Sequence, residues 1–494
     1  MSTPNTTNKV WKVEQEALSS FNEWGTCVFT ICTSLWVWHF TPGTIIYCGT
    51  VTRSVRRWFS VGPSPSQFVP GSWLESISTN PLPDKSPEHL DLDTVFLITR
   101  HGDRAPGKNA FVGSMPEEER EVEAWNQVIA KTQREEEIGK LQDLFPVRNT
   151  NTETLDSKSA PFGALTSKGV DQLKSVGAMY KNIYDHEGFE YDCTSITARA
   201  SNFDRTQLSG QAMLYGMLGE SGISRLPISV HYEKQCALQP YEGLPRLVEK
   251  AKEMEKLPFF VERERKVSTL RERFIENVPM FQPPLHFQWI YAGDSLFCRH
   301  AHEGVDGVSR PSGAFESLMN DKDRIQALQQ VSWRFGTWYS DCEILKLAVG
   351  HLIVEIGILV ADRLCDSRLK ARLENTLELF PGQEQDLSAA TENKNGRMYV
   401  YMGHDVTVCP LLKAIGAWDG LWPDYASTVA IELYRDQTNR DRSFISVLYN
   451  GMPLKMGVGA DCVHSTGNPR HFCSTSDFVD RVEAIAMEQE IFNM

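Results

Sequence analysis

Residues 94–106 read Thr94-Val-Phe-Leu-Ile-Thr99 and then Arg100-His101-Gly102-Asp103-Arg104-Ala105-Pro106. The first six are β-branched or apolar throughout, the composition of a strand buried on both faces. The next seven break that run with a histidine between two arginines. In an open α/β sheet, ligands gather beyond the carboxyl ends of the strands, so this loop stands where a site belongs. Two guanidinium groups can hold the nonbridging oxygens of a phosphate through forked, charged donors. The imidazole can attack phosphorus with one ring nitrogen while a hydrogen bond orients the other. Gly102 is expected to let the backbone approach the anion without a Cβ in the way. By itself the loop could equally be a basic strand end paired with carboxylates.

Two later segments repeat the arrangement. Arg199-Ala-Ser-Asn-Phe-Asp204-Arg205-Thr206 follows a short strand ending near Ala198 and opens a helix over Gln207 to Leu218. Asn202 or Asp204 is available as its cap. Arg199 is the candidate third arginine of a phosphate clamp, and Arg205 reads as a helix-face or scaffold residue. Gly403-His404-Asp405 follows a third strand, Met398 to Met402. His404 can donate to a phosphoryl oxygen, and Asp405, protonated beside an anionic substrate, can give its proton to a leaving alcohol.

Around these segments the pattern is that of an α/β protein. Leu173, Val176, Tyr180 and Ile183 mark one face of a helix starting near Thr166. Residues 427–434 and 444–449 read as adjacent strands joined by a polar turn. The stretch 220–390 is mainly helical by pattern, and its apolar run Leu345–Ala361 reads as a core helix. Glu117–Glu123 reads as a solvated helix face, and the cluster Arg299, His300 and His302 reads equally as a candidate for selecting the leaving group or as a surface loop. The organisation expected is a polar tail over 1–23, a membrane anchor or uncleaved signal over 24–51, and a linker over 52–90. The α/β core then covers 91–219 and 391–485, with a helical cap over 220–390.

The 494 residues are 41% hydrophobic and 23% charged, an ordinary balance for a folded protein. A formal charge of -14 argues against nucleic acid as partner and requires local positive charge to hold any anion. No Asp, Glu, Lys or Arg occurs from Trp24 to Val51, but Pro42-Gly43 interrupts the segment, and its basic residues, Arg53, Arg56 and Arg57, come after it. Taken literally, that order places the large domain in the cytosol, against a secretory location. Of 11 cysteines, eight lie in the body of the chain, which allows four disulfides in 105 pairings or a set of buried thiols.

Together the three segments resemble the histidine acid phosphatase family, whose signature runs R-H-G-x-R-x-P and whose distal pair is His-Asp. Lesser agreements are Leu165-Thr166 with Gly169 and Gln172, Tyr425-Ala-Ser427, Glu432-Leu433 and Leu448-Tyr449-Asn450-Gly451. The likeness spans residues 92 to 485. It implies a three-layer α/β/α core of the phosphoglycerate mutase kind with a mainly helical cap, and an acid phosphomonoesterase in which His101 becomes phosphorylated. Arg100, Arg104, Arg199 and His404 would hold the phosphoryl oxygens, and Asp405 would be the general acid. No cofactor or metal is implied, since the arginines supply the charge. The substrate would be a small-molecule or glycan phosphate monoester, the location the secretory pathway or a lysosomal or Golgi membrane, and the assembly a homodimer.

The His-Asp ending departs from inositol-polyphosphate phosphatases that carry His-Ala-Glu. The tail around Cys462 and Cys473 resembles that of Golgi xylose-phosphate phosphatases of proteoglycan synthesis, a narrower alternative. A phosphoglycerate mutase-type enzyme and a silent phospholigand-binding protein are the remaining readings.

Overall fold

The computed structural model describes residues 72–75, 81–149, 160–220, 226–230, 237–242, 244–309, 311, 313–380, 393, 396–457, 461–462 and 469–489. The segment expected to anchor the chain, 24–51, with Cys27, Cys32 and Cys48, lies outside the described residues.

Among the described residues, ten strands form one mixed sheet. They are β1 (Leu90–Arg100), β2 (Val147–Asn149), β3 (Ile196–Ala200), β4 (Ile228–Val230), β5 (Met398–Gly403), β6 (Thr428–Asp436), β7 (Ser443–Tyr449), β8 (Met452–Leu454), β9 (Asp461–Cys462) and β10 (His471–Ser474). Their order is β2-β4-β3-β5-β1-β6-β7-β10-β9, with β8 on β7. From β2 to β1 all neighbours are parallel, and from β1 through β6, β7, β10 and β9 they are antiparallel.

Side chains of a strand alternate between faces, and both faces of this sheet are covered. Val95 and Leu97 of β1, with Met398 and Val400 of β5, pack beneath α2 (Ser167–Glu187) and α3 (Asp204–Leu218). Phe96 and Ile98, with Tyr399 and Tyr401, face α5 (His351–Arg363), α6 (Asp405–Ala414) and α7 (Thr475–Ala486). This makes the three-layer α/β/α core, and the helices of 245–338 form the cap. Two other helices matter below: α1 (Glu117–Asn126) and α4 (Trp289–Ala301). Residues Leu173, Val176, Tyr180 and Ile183 are buried along α2, as their spacing predicts, and Thr166 caps it by accepting from Gly169 N at 3.1 Å. Such a cap is worth about 1 kcal/mol.

The stretch 220–390 is less uniform than its helical pattern suggests. Strand β4 lies inside it and joins the sheet, because Ile228 and Val230 are buried beside β3. The continuous helical run Cys342–Arg363 is long and apolar enough to cross a membrane, yet 89% of its most apolar window is buried within the protein. It is a core helix, as expected: every residue of α5 from His351 to Ala361 is buried.

Of the two readings of the cysteines, the described residues show the thiols and no disulfide. Cys193, Cys298, Cys365, Cys409 and Cys473 are unbridged thiols. Cys298, Cys409 and Cys473 are packed in the apolar core, where a thiol behaves as a small hydrophobe.

Candidate active site

The three sequence segments meet. Register pairs Arg100 with Gly403 across β1 and β5, and Ala200 with Met402 across β3 and β5. Three adjacent parallel strands therefore end level, and His101, the Ser201–Thr206 turn and His404-Asp405 emerge side by side. Backbone bonds tie these ends together: His101 N donates to Gly403 O at 3.0 Å and Ser201 N to Met402 O at 3.1 Å.

His101 is 2% exposed, and its Nδ1 lies 2.8 Å from the carbonyl of Gly102. A carbonyl only accepts, so Nδ1 carries the proton and Nε2 keeps its lone pair. Burial first, then Arg205, Arg100 and Arg104, hold the His101 pKa well below the usual histidine value. His404, whose ring centroid is 5.4 Å from that of His101, is depressed by burial and the same three arginines. Its Nε2 shares a 2.7 Å hydrogen bond with Ser201 Oγ, and its backbone N donates to Thr407 Oγ1 at 2.9 Å. Both imidazoles therefore stay neutral well into the acid range.

Arg100 is completely buried. It donates to the Pro423 carbonyl, lies 3.6 Å from Asp405 Oδ2, and sits over the rings of Trp422 and Tyr425 at 4.9 and 4.7 Å. Arg104 is gripped by Asp294 of α4 through two bonds of 2.8 and 3.2 Å, and Asp294 also accepts from Gly107 N at 2.8 Å. Burial opposes the Arg104 charge, and Asp294 with other nearby groups more than reverses this. Arg100 Nε and Nη2 and Arg104 Nε are buried donors without a hydrogen-bond partner among the described residues. Each such donor costs about 1–3 kcal/mol, which a bound anion offsets by accepting from it. Asp405 opens α6, takes Val406 N at 2.8 Å on Oδ1 and receives Trp422 Nε1 at 2.6 Å on Oδ2.

Arg199 is engaged elsewhere. It lies inside β3, and its side chain points into the α5 layer, where it pairs with Glu355 at 2.9 Å and lies 5.0 Å from the Tyr401 ring. Glu355 is fully buried and also accepts from Tyr401 at 2.8 Å. The arginine of this segment that acts on both histidines, beside Arg100 and Arg104, is Arg205, in the first turn of α3, with its guanidinium 4.1 Å from the Phe203 ring. It is the strongest cationic influence on each imidazole. The strand runs two residues beyond the end near Ala198 read from the sequence, so Arg199 falls within its alternation and faces a layer, whereas Arg205 follows the strand end. Neither Asn202 nor Asp204 caps α3, whose cap position is Phe203, and Asp204 instead holds Lys131 at 2.7 Å.

Other expectations change in detail. The glycine at 102 is required by packing: a Cβ there would lie 2.5 Å from Gly169 O of α2. Arg299 and His302, at the end of α4, are buried and not on a surface loop. Arg299 pairs with Glu121 of α1, itself buried, and His302 Nε2 lies 2.6 Å from Asp103 Oδ2. These contacts fasten α1 and α4 to the RHGDR loop.

A family model described as the histidine phosphatase superfamily (branch 2) matches residues 91–450. The chain is 24% identical over 361 residues to bovine (Bos taurus) lysosomal acid phosphatase, covering 70% of this chain and 67% of that one. It is 22% identical over 429 residues to bovine lysophosphatidic acid phosphatase type 6, covering 82% and 86% of the two chains. Among solved structures, the phytase of Klebsiella sp ASR1 superimposes with a TM-score of 0.50 at 14% identity, covering 81% of this chain and 96% of that one. That last likeness concerns the fold alone.

Proposed function

From the premise that this chain belongs to branch 2 of the histidine phosphatase superfamily and is a phosphomonoesterase of the histidine acid phosphatase kind, we propose that His101 is the residue phosphorylated. The observation that carries this is the Nδ1–Gly102 hydrogen bond, which leaves Nε2 unprotonated amid Arg100, Arg104, Arg205 and His404. The three arginines, Arg205 in the place first given to Arg199, hold the nonbridging oxygens. They stabilise the charge that gathers on them as Nε2 bonds to phosphorus. The P–O bond to the alcohol breaks as Asp405 gives its proton to the departing oxygen. Asp405, now a carboxylate, takes a proton from the water that attacks the phosphohistidine, and the P–N bond breaks to release inorganic phosphate and neutral His101.

A phosphate monoester of an alcohol is the substrate class. The similarity to a lysophosphatidic acid phosphatase over most of both chains supports a lipid-like alcohol as one candidate, and the tail resemblance supports a xylose phosphate as another. A lysosomal or secretory location is supported by the lysosomal acid phosphatase similarity, and anchorage by the charge-free stretch from Trp24 to Val51.

The test is phosphate release by the full chain between pH 4 and 8 with EDTA, from p-nitrophenyl phosphate, lysophosphatidic acid and xylose 2-phosphate. Acid quenching with labelled substrate should trap phosphate on the wild type and none on His101→Ala. Label retained by His101→Ala would overturn the assignment.

A further inference from the structure

We infer that Trp422 is a positioning residue that aims the carboxyl of Asp405 at the departing oxygen; this rests on the reading of Asp405 as the general acid. Asp405 stands at the first position of α6, at the edge of the site, with its side chain 15% exposed. A carboxyl there can rotate among several rotamers, so something must fix it. Val406 N holds Oδ1 at 2.8 Å from within the helix, and the indole Nε1–H of Trp422 holds Oδ2 at 2.6 Å from the segment preceding β6.

Trp422 is itself held at its backbone and at its ring. Its backbone N donates to Ser332 Oγ of the cap at 3.0 Å, its ring packs 5.4 Å from Phe297 of α4, and Arg100 lies over it. Cap, α4 and the nucleophile's own loop therefore fix the group that orients the acid.

Indole chemistry suits the task. Its N–H donates only and has no lone pair for a proton, so it can hold a carboxyl without competing for the proton being delivered. Arg100 lies 3.6 Å from the same oxygen and attracts the carboxylate, but at that distance it does not direct it through a hydrogen bond. The charge of Asp405 is felt by Arg104, Cys409 of α6, and Tyr241 and Tyr339 of the cap region. None of these is among its hydrogen-bond partners.

The test compares kcat/KM for glycerol 2-phosphate, whose alcohol needs protonation, with that for p-nitrophenyl phosphate, whose phenolate leaves unaided. Trp422→Phe keeps an aromatic ring and loses the donor. It should fall about tenfold on the glycerol ester and about threefold or less on the aryl ester, because misaiming costs only part of a general-acid contribution of about 10²–10⁴. Asp405→Asn is the control. If it is not selective for the glycerol ester, the general-acid reading itself fails. If it is selective and Trp422→Phe is not, only the role of Trp422 is overturned. Trp422→Leu replaces Trp422→Phe if the latter does not fold by circular dichroism. Failure of both to fold would overturn the inference as well, making Trp422 a folding residue first.

Discussion

Replacing Arg199 and Arg205 separately with methionine should split stability from catalysis. Arg199→Met removes the ion-pair partner of Glu355, which is fully buried and also accepts from the Tyr401 hydroxyl. Breaking one side of a buried ion pair costs roughly 3–5 kcal/mol, and the remaining tyrosine donor argues for the lower end, about 3 kcal/mol. The folded fraction should nevertheless turn over within about threefold of wild type, since Arg199 faces the α5 layer. Arg199→Met/Glu355→Leu should regain most of the stability, because an apolar pair of similar volume replaces a buried ion pair at little cost. Arg205→Met should do the reverse. Removing one charged donor from the developing oxyanion costs about 2.7–4 kcal/mol, a loss of roughly 10²–10³ in kcat, while stability stays within about 1 kcal/mol. Urea unfolding and kcat/KM with p-nitrophenyl phosphate read the two quantities. An Arg199→Met protein of native stability that has lost 10²-fold in activity, or an active Arg205→Met, would refute the assignment.

Because burial and Arg205 depress His101, the acid limb of kcat/KM should fall below pH 6.5, the ordinary histidine value. Arg205→Gln should move that limb upward, and an unmoved limb would show that it reports another group. Glu432, fully buried beside Arg470, is pushed up to about 7 by burial first, with Glu187 adding and Arg470 opposing. A carboxyl raised in the folded state gives stability that is fully present below about 4.5 and lost as pH rises through about 7. The melting temperature should therefore decline across that window in calorimetry and flatten in Glu432→Gln, and parallel curves would contradict this. Asp103 is fully buried between Thr166 and His302, so Asp103→Ala should destabilise by about 2–4 kcal/mol in urea through the unpaired groups it leaves.

Much of this site could be read from the chain alone, for a physical reason. His101 and Arg100, and likewise His404 and Asp405, are covalent neighbours at the ends of apolar strands, so local pattern fixes where they emerge. The α2 face from Leu173 to Ile183 and the β6–β7 hairpin were legible for the same reason, since period and turn chemistry are local. What only the folded chain decided were the contacts between residues far apart in sequence. Arg199 and Glu355 are separated by 156 positions, and their pairing is what removes Arg199 from the site and leaves the position to Arg205. Asp294 grips Arg104 across 190 positions, and Arg299 and His302 are buried because Glu121 and Asp103 meet them. A sequence shows which charges exist, but the partner that neutralises each one is chosen by packing, and here that choice separates the arginines of the site from the arginine of the core.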